Sequence, residues 1–151
     1  MPPPRATSDA PGRLSDCGCP PPPRTPSSRG WQRDSQANGS EAHAPVVRVL
    51  LNATAAGALQ NGRFPQGGSF PNGAIVFKEV RPSATGAPTL YVVMVKDRDN
   101  ARAGNGWLWA EYTPSGTTVF SVDRRGSACI SCHQRDGGTV RDLVRTFERQ
   151  R

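Results

Sequence analysis

The sequence has few aromatic residues, few histidines and no long apolar segment. Aromatic residues make up 7% of its 151 residues, and it contains two histidines. Its longest apolar segments, 46–51 and 90–95, have the length of strands and are too short to cross a bilayer. The N-terminal residues lack the apolar core of a secretory signal. We therefore expect a protein with a small hydrophobic core and no membrane span.

Positive charge is plentiful but scattered. The formal net charge is +7, and the longest run of basic residues is Arg124-Arg125. No aromatic residues interleave with a basic stripe, as a nucleic-acid groove would require. The charge therefore does not favour nucleic-acid binding. It is compatible with docking to an acidic electron acceptor.

Proline and glycine are abundant, at 15 and 16 residues. Residues 1–29 contain almost no apolar side chains, so they cannot bury enough surface to offset the entropy of ordering. We interpret 1–29 as a disordered Pro-rich tail or a misassigned leader, and 30–151 as one folded domain. Cys17 and Cys19 stand beside a proline run with no further ligand nearby, and we regard them as incidental.

Short apolar runs separated by turn residues predict an antiparallel sheet. The first run, 46–51, is rich in β-branched residues, and Asn52 can cap a short helix over 52–59. Apolar residues at helical spacing predict an amphipathic helix over 139–151. We expect an α+β fold: a predominantly antiparallel β-sheet with a short helix after the first strand and a helical segment around the CxxCH motif of residues 129–133. The later strands are predicted over 74–80, 90–96, 106–112 and 117–122.

The motif that carries chemistry is Cys129-Ile130-Ser131-Cys132-His133, a complete CxxCH. In this pattern two thiols form thioethers to the haem vinyl groups, and the adjacent histidine ligates the iron. Two intervening residues place both sulfurs on one side of a helical turn. The alternatives are a zinc site, which needs two more ligands, and a redox dithiol, which belongs in a pattern of parallel strands and helices.

The sixth position of the iron decides between an electron carrier and a reactive site. Electron carriers usually fill it with Met or a second His. Met94 lies in a strand run and His43 precedes the first predicted strand, and neither stands in an obvious ligand loop. We therefore expect an open iron site.

Two charged residues interrupt predicted strands. By alternation Lys78 shares a face with Ala74, Val76 and Val80, where a lysine would have a lowered pKa and could act as a nucleophile. The sequence alone favours the other interpretation, an edge-strand lysine that reaches water. Arg48 could bind a haem propionate or an anionic intermediate, or could be an exposed arginine on a half-solvated sheet.

An ordered set of segments resembles the cytochrome P-460 family over about residues 30–151. The set comprises Trp31, 43–52, the Phe-Pro-x-Gly of Phe70–Gly73 with the following strand to Lys78-Glu79, then 94–96 and the late CxxCH. The resemblance implies a predominantly β protein, often a homodimer, with a five-coordinate haem c. In enzymes of that family a lysine at the position of Lys78 is also bound covalently to a haem meso carbon.

The resemblance also implies a reaction. Arg48 matches the arginine in the distal pocket of hydroxylamine-oxidising members, so we expect Lys78 and Arg48 to serve catalysis and Cys129, Cys132 and His133 to hold the haem. The family's distal carboxylate aligns near Val92 here and is missing. Glu79 and Glu111 lie on neighbouring runs, but nothing in the sequence aims either at the iron.

The expected function is oxidation of hydroxylamine or a related small nitrogen compound, with electrons passed to an external acceptor protein. One alternative is a nitric oxide or carbon monoxide binder like the cytochromes c′-beta, with Phe64, Phe70 and Phe77 supplying an apolar pocket. A six-coordinate electron carrier is the other. Because haem c is attached outside the cytoplasm, we expect a periplasmic or otherwise exported protein.

Overall fold

One antiparallel sheet of six strands dominates the fold. A computed structural model describes residues 27–33, of which only the backbone is considered, together with 43, 45–135 and 138–145. The strands neighbour one another in chain order. The predicted α+β class, mostly antiparallel β, is confirmed. The strands are β1 (Ser27–Arg33), β2 (Val46–Leu51), β3 (Ile75–Arg81), β4 (Leu90–Lys96), β5 (Trp107–Tyr112) and β6 (Thr118–Phe120).

Strand alternation gives the sheet one buried face. Leu51, Val76, Met94 and Trp109 lie directly opposite one another across β2 to β5, and all four are buried. Residues two positions along each strand point to the same face, so this face continues through the middle of the sheet. The main core cluster packs against it and consists of Val49, Leu51, Ala55, Phe64, Phe70, Ala74, Val76, Met94, Trp107, Trp109, Phe120, Leu143 and Val144.

The short helix predicted after residue 51 is present as α1, Ala53–Gly57. The side chain of Asn52 accepts a hydrogen bond from the backbone N–H of Ala55 at 2.9 Å, which caps the helix. The same oxygen accepts from the N–H of Ile75, also at 2.9 Å, and the amide nitrogen donates to the Gly73 carbonyl. Asn52 therefore ties the helix start to the beginning of β3.

The C-terminal part is built from turns rather than a long helix. After β6 come a 3-10 helix at Val122–Arg124, one α-helical turn at α2 (Ile130–His133) and a 3-10 helix at Gly138–Arg141. Asp142 and Leu143 have φ of 49° and 65°. Because two successive left-handed residues end any right-handed helix, the prediction of an amphipathic helix over 139–151 is wrong up to residue 145. Residues 146–151 lie outside the described residues.

Strand β1 was not predicted. It pairs antiparallel with β2, with a change of register between Arg29 and Gln32. Its sequence, SSRGWQR, lacks the apolar alternation that identifies a strand, so the backbone ladder with β2 accounts for it. The predicted tail, 1–29, lies outside the described residues except for its last three, which begin β1.

Among the described residues, no helix has the length and apolar character needed to cross a membrane.

Candidate haem site

A row of polar side chains crosses the buried face of the sheet. Lys78 on β3 lies opposite Val92 on β4, which lies opposite Glu111 on β5. His43 joins the two charged residues. Its Nδ1 lies 3.3 Å from Nζ of Lys78, and its Nε2 lies 3.0 Å from Oε1 of Glu111. Both His43 and Glu111 are mostly buried, with side chains 16% and 17% exposed.

The CxxCH turn faces this row. Cys129 and Cys132 are free thiols, each half-buried, and the N–H of His133 donates to the Cys129 carbonyl at 3.0 Å. Burial first, and then the negative charge of Glu111, raise the pKa of Cys129 to about 11. Lys78 acts on the same thiol in the opposite direction. Cys129 therefore lies within electrostatic range of both ends of the polar row.

His133 is a buried imidazole of defined orientation. It is 6% exposed, and its Nδ1 lies 2.7 Å from the Leu143 carbonyl, to which a neutral ring donates. Burial lowers its pKa to about 3, and the charge of Lys78 contributes to the lowering. No hydrogen bond joins Nε2 to any described residue. A neutral imidazole with a bonded Nδ1 and an unused Nε2 is the form in which histidine ligates a metal.

Two glycines, Gly126 and Gly138, allow the CxxCH turn to pack closely against the sheet and the segment that follows it. A Cβ on Gly126, whose φ is +68°, would lie 2.5 Å from the Trp109 ring. That ring packs edge-on against His133, with centroids 4.9 Å apart, and its Nε1 donates to the Gly104 carbonyl at 3.0 Å. A Cβ on Gly138 would lie 1.8 Å from the His133 carbonyl oxygen. The chain can therefore fold tightly around His133 only with glycine at these positions.

The structure groups most of the predicted site residues. Lys78, Cys129, Cys132 and His133 lie on the buried side of the sheet, whereas Arg48 does not. Arg48 is opposite Glu79 in the register of β2 and β3, and their side chains are 3.9 Å apart on the other face. The strand that holds Arg48 was predicted correctly, but its alternation turns this side chain away from His133.

Sequence reasoning missed the contribution of His43 and Glu111. Trp107, Trp109 and Glu111 are spaced two residues apart on β5 and therefore point to the same face. This spacing could have placed Glu111 on the buried face. The strand register that sets it opposite Val92 could not be read from the sequence. His43 lies before β2, and only the fold brings it to Lys78.

The structure does not favour Met94 as an iron ligand, nor the zinc alternative. Met94 is 3% exposed and belongs to the main core cluster, in register with Trp109. The zinc alternative gains no support, since within the described ranges no three His, Cys, Asp or Glu side chains are grouped to hold a metal. Cys17 and Cys19 lie outside the described residues.

The donor set fits a haem. Two thiols and a neutral buried imidazole converge at one turn, beside a sheet face that carries a lysine. The fold and the site together define the class: a β-sheet protein with a CxxCH turn suited to a haem. Within that class, residues 27–145 match the family model described as Cytochrome P460, and the chain belongs to this haem-binding family. No curated protein matches the chain significantly.

Proposed function

We propose that this chain is a c-type haem protein with an open iron site that oxidises hydroxylamine or a related small nitrogen compound. Cys129 and Cys132 would hold the haem by thioethers, and Nε2 of His133 would ligate the iron. The observation that carries the proposal is the buried neutral His133, which has Nδ1 bonded to Leu143 and stands beside two free thiols. When bound, the haem supplies a redox-active iron that takes electrons from the substrate.

Lys78 would modify the cofactor covalently rather than act as a base. Three features support this role. It lies on the sheet face that the CxxCH turn covers, its charge reaches both Cys129 and His133, and its Nζ is 3.3 Å from a histidine nitrogen that can accept a proton. The amine must lose its proton before Nζ bonds to a haem meso carbon, and that carbon must give up its hydrogen and two electrons to an external oxidant.

His43 and Glu111 would accept the protons that hydroxylamine releases on oxidation. The carboxylate of Glu111 lies 3.0 Å from Nε2 of His43, so it can orient the ring and stabilise its protonated form. The family's distal carboxylate is missing near Val92 in this chain. The pair of His43 and Glu111 would supply that proton acceptor, since Val92 and Glu111 are direct neighbours across β4 and β5.

Arg48 is left out of the proposed mechanism. Its guanidinium group points to the face opposite His133, where it lies near Glu79. The role expected from the family resemblance, a distal arginine that orients the ligand or stabilises negative charge, has no support from this position.

The polar row also supports the enzyme over a gas binder like the cytochromes c′-beta. A gas binder would need an apolar distal pocket, but Phe64 and Phe70 stack on each other in the core at 4.1 Å between centroids. Phe77 lies on the other face of the sheet, where its ring packs near Tyr91. On the buried face of the sheet, the polar Lys78 and Glu111 lie within electrostatic range of Cys129, which favours redox catalysis with proton transfer.

The proposal includes an export step and a partner. Haem c attachment would place the mature domain in a periplasm or its equivalent, and an external acceptor protein would take the electrons. We propose that the haem domain, predicted as 30–151, also includes Ser27–Arg29 of β1, that the rest of 1–29 is the separate segment, and that the domain assembles as a homodimer.

The test reads both covalent bonds in one digest. We would express the full chain with a haem-c maturation system, denature it, digest it with trypsin and analyse the peptides by mass spectrometry. Trypsin cannot cleave after a lysine whose Nζ is bonded to haem, and Lys96 is the only other lysine in the chain. We expect haem on the peptide of Cys129 and Cys132, no cleavage after Lys78 and normal cleavage after Lys96.

A matched variant completes the experiment. Lys78→Met should keep the thioether-bound haem, shift the absorption spectrum and lose hydroxylamine oxidation measured with an artificial electron acceptor. An unchanged spectrum in this variant would contradict the role of Lys78. Haem on the cysteine peptide alone in the unsubstituted protein would favour the gas binder, and no covalent haem would overturn the whole proposal.

A further inference from the structure

Asp142 collects hydrogen bonds from several parts of the chain. Its Oδ1 accepts from Nζ of Lys96 at 2.6 Å, and its Oδ2 accepts from the backbone N–H of Phe70 at 2.7 Å and from the Ser69 hydroxyl at 3.1 Å. The Asp142 carbonyl accepts from Nε1 of Trp107 at 2.9 Å. One residue therefore links β4, β5 and the loop before β3 to the C-terminal turn.

Lys96 is the buried partner in this network. Its side chain is 3% exposed, and Nζ lies 4.7 Å from the centroid of the Trp107 ring. Gly106 leaves the space it needs, since a Cβ there would lie 3.2 Å from Nζ. A buried ammonium needs a close anion and good geometry, and Asp142 supplies both. Lys96 has no part in the haem attachment proposed above.

The backbone at Asp142 directs a carbonyl at His133. Asp142 and Leu143 are both left-handed, a conformation that non-glycine residues rarely adopt. The N–H of Leu143 donates to the Gly138 carbonyl at 2.8 Å, and its own carbonyl lies 2.7 Å from Nδ1 of His133. A relaxed backbone at these two residues would turn the Leu143 carbonyl away from the ring.

We propose that the Lys96–Asp142 ion pair positions His133 for ligating the haem: it holds the left-handed turn so that the Leu143 carbonyl accepts a hydrogen bond from Nδ1 of His133. Lys96 and Asp142 are positioning residues, which act on the iron through the histidine. A strong acceptor at Nδ1 makes Nε2 more basic, and a more basic ligand stabilises the ferric state over the ferrous state. The proposal rests on His133 being the iron ligand.

The experiment measures the bond between iron and histidine directly. Holo-protein carrying Asp142→Asn or Lys96→Met would be compared with the unsubstituted protein by resonance Raman spectroscopy of the ferrous state and by redox titration. We expect both variants to keep covalent haem while the iron–histidine stretching band moves to lower frequency and the potential rises. The control is Asp123→Asn, which removes the exposed pair of Asp123 with Arg102 and should change neither measurement.

The outcomes separate positioning from simple stabilisation. Unchanged band and potential in haem-loaded Asp142→Asn and Lys96→Met would overturn the proposal, even if both variants unfold more easily. Lys96→Met leaves a buried carboxylate without its cation and could fail to accumulate. The double variant Lys96→Met/Asp142→Asn removes both charges, and the same criterion applies to it. Absence of covalent haem from the unsubstituted protein would overturn the haem attachment itself, which is a different failure.

Discussion

At the scale of single residues, the site depends on side chains whose protonation the fold controls. His133 is kept neutral by burial, which lowers its pKa to about 3, whereas the Cys129 thiol is kept protonated by burial and by Glu111. Both effects favour the neutral forms before a haem is attached. A cluster of this kind at one turn is typical of a functional site.

The pKa of Cys129 predicts slow alkylation in the haem-free chain. With a pKa of about 11, roughly one thousandth of this thiol is ionised at pH 8, against about one tenth at the ordinary value of 9.0. Because the thiolate is the reactive form, iodoacetamide should modify Cys129 about a hundredfold more slowly than in the unfolded chain. The rate should rise about tenfold per pH unit up to pH 10, as measured by peptide mass spectrometry.

Glu111→Gln should speed this alkylation several-fold, since it removes the negative charge that opposes the thiolate. The control is Glu79→Gln, a carboxylate on the opposite face that pairs with Arg81, and it should leave the rate unchanged. Equal effects of the two variants would mean that Glu111 does not face Cys129.

At the scale of elements, the CxxCH turn is held by tight backbone approaches rather than by a long helix. Helix α2 has four residues, and the segment after it returns to His133 through Gly138 and Leu143. The sheet supplies the other wall, with Trp109 against the histidine ring. A turn this short has little stability of its own, so its shape depends on the contacts around it.

Gly138→Ala should disrupt this turn. The added Cβ would lie 1.8 Å from the His133 carbonyl oxygen, so the backbone must move, at a cost of about 1–3 kcal/mol or more in the free energy of unfolding. We expect loss of most covalent haem as well, measured as the pyridine haemochrome per protein. Gly57→Ala is the control, because nothing lies within 4 Å of its Cβ and alanine favours the helix by about 0.5–1 kcal/mol. Comparable haem loss in both variants would contradict the prediction.

At the scale of the whole molecule, the described residues form a single sheet with most of its packing on one face. The main core cluster and a smaller one formed by Val47, Val80 and Val92 both lie on this face. Lys78 and Glu111 lie on the same face, and polar groups there offer less hydrophobic stabilisation than apolar ones. A haem bound beside them would add buried apolar area.

Haem attachment should therefore raise the thermal stability of the chain. Cys129→Ala/Cys132→Ala, which cannot form thioethers, should unfold about 10 °C below the holo-protein, corresponding to a few kcal/mol. Differential scanning calorimetry of both proteins measures this difference. The control is the unsubstituted chain made without the maturation system, which should unfold near the double variant. Equal midpoints for the haem-loaded and haem-free chains would show that the haem is not part of the folded core.

The sequence by itself determined the local features of this protein. Strand alternation and turn residues identified β2 to β6, Asn52 marked the start of α1, and the CxxCH with the ordered segments before it indicated the family that the comparison confirmed. These features depend on residues that are near neighbours in the chain, so local sequence patterns are enough to predict them. Strand β1 was not predicted, because backbone hydrogen bonds pair it with β2 and its sequence shows no apolar alternation.

Only the tertiary structure decided which residues share the site. The register of the strands places Glu111 beside the row of Lys78, and the path of the chain brings His43 between them. Alternation turns Arg48 to the face opposite Val49 and Leu51, and only the fold shows that this face lies away from His133, although the segment of Arg48 matched the family. The contacts of Lys96 and Asp142 join residues 46 positions apart. Such pairings depend on strand register and loop paths, which are long-range properties that a local sequence pattern does not specify.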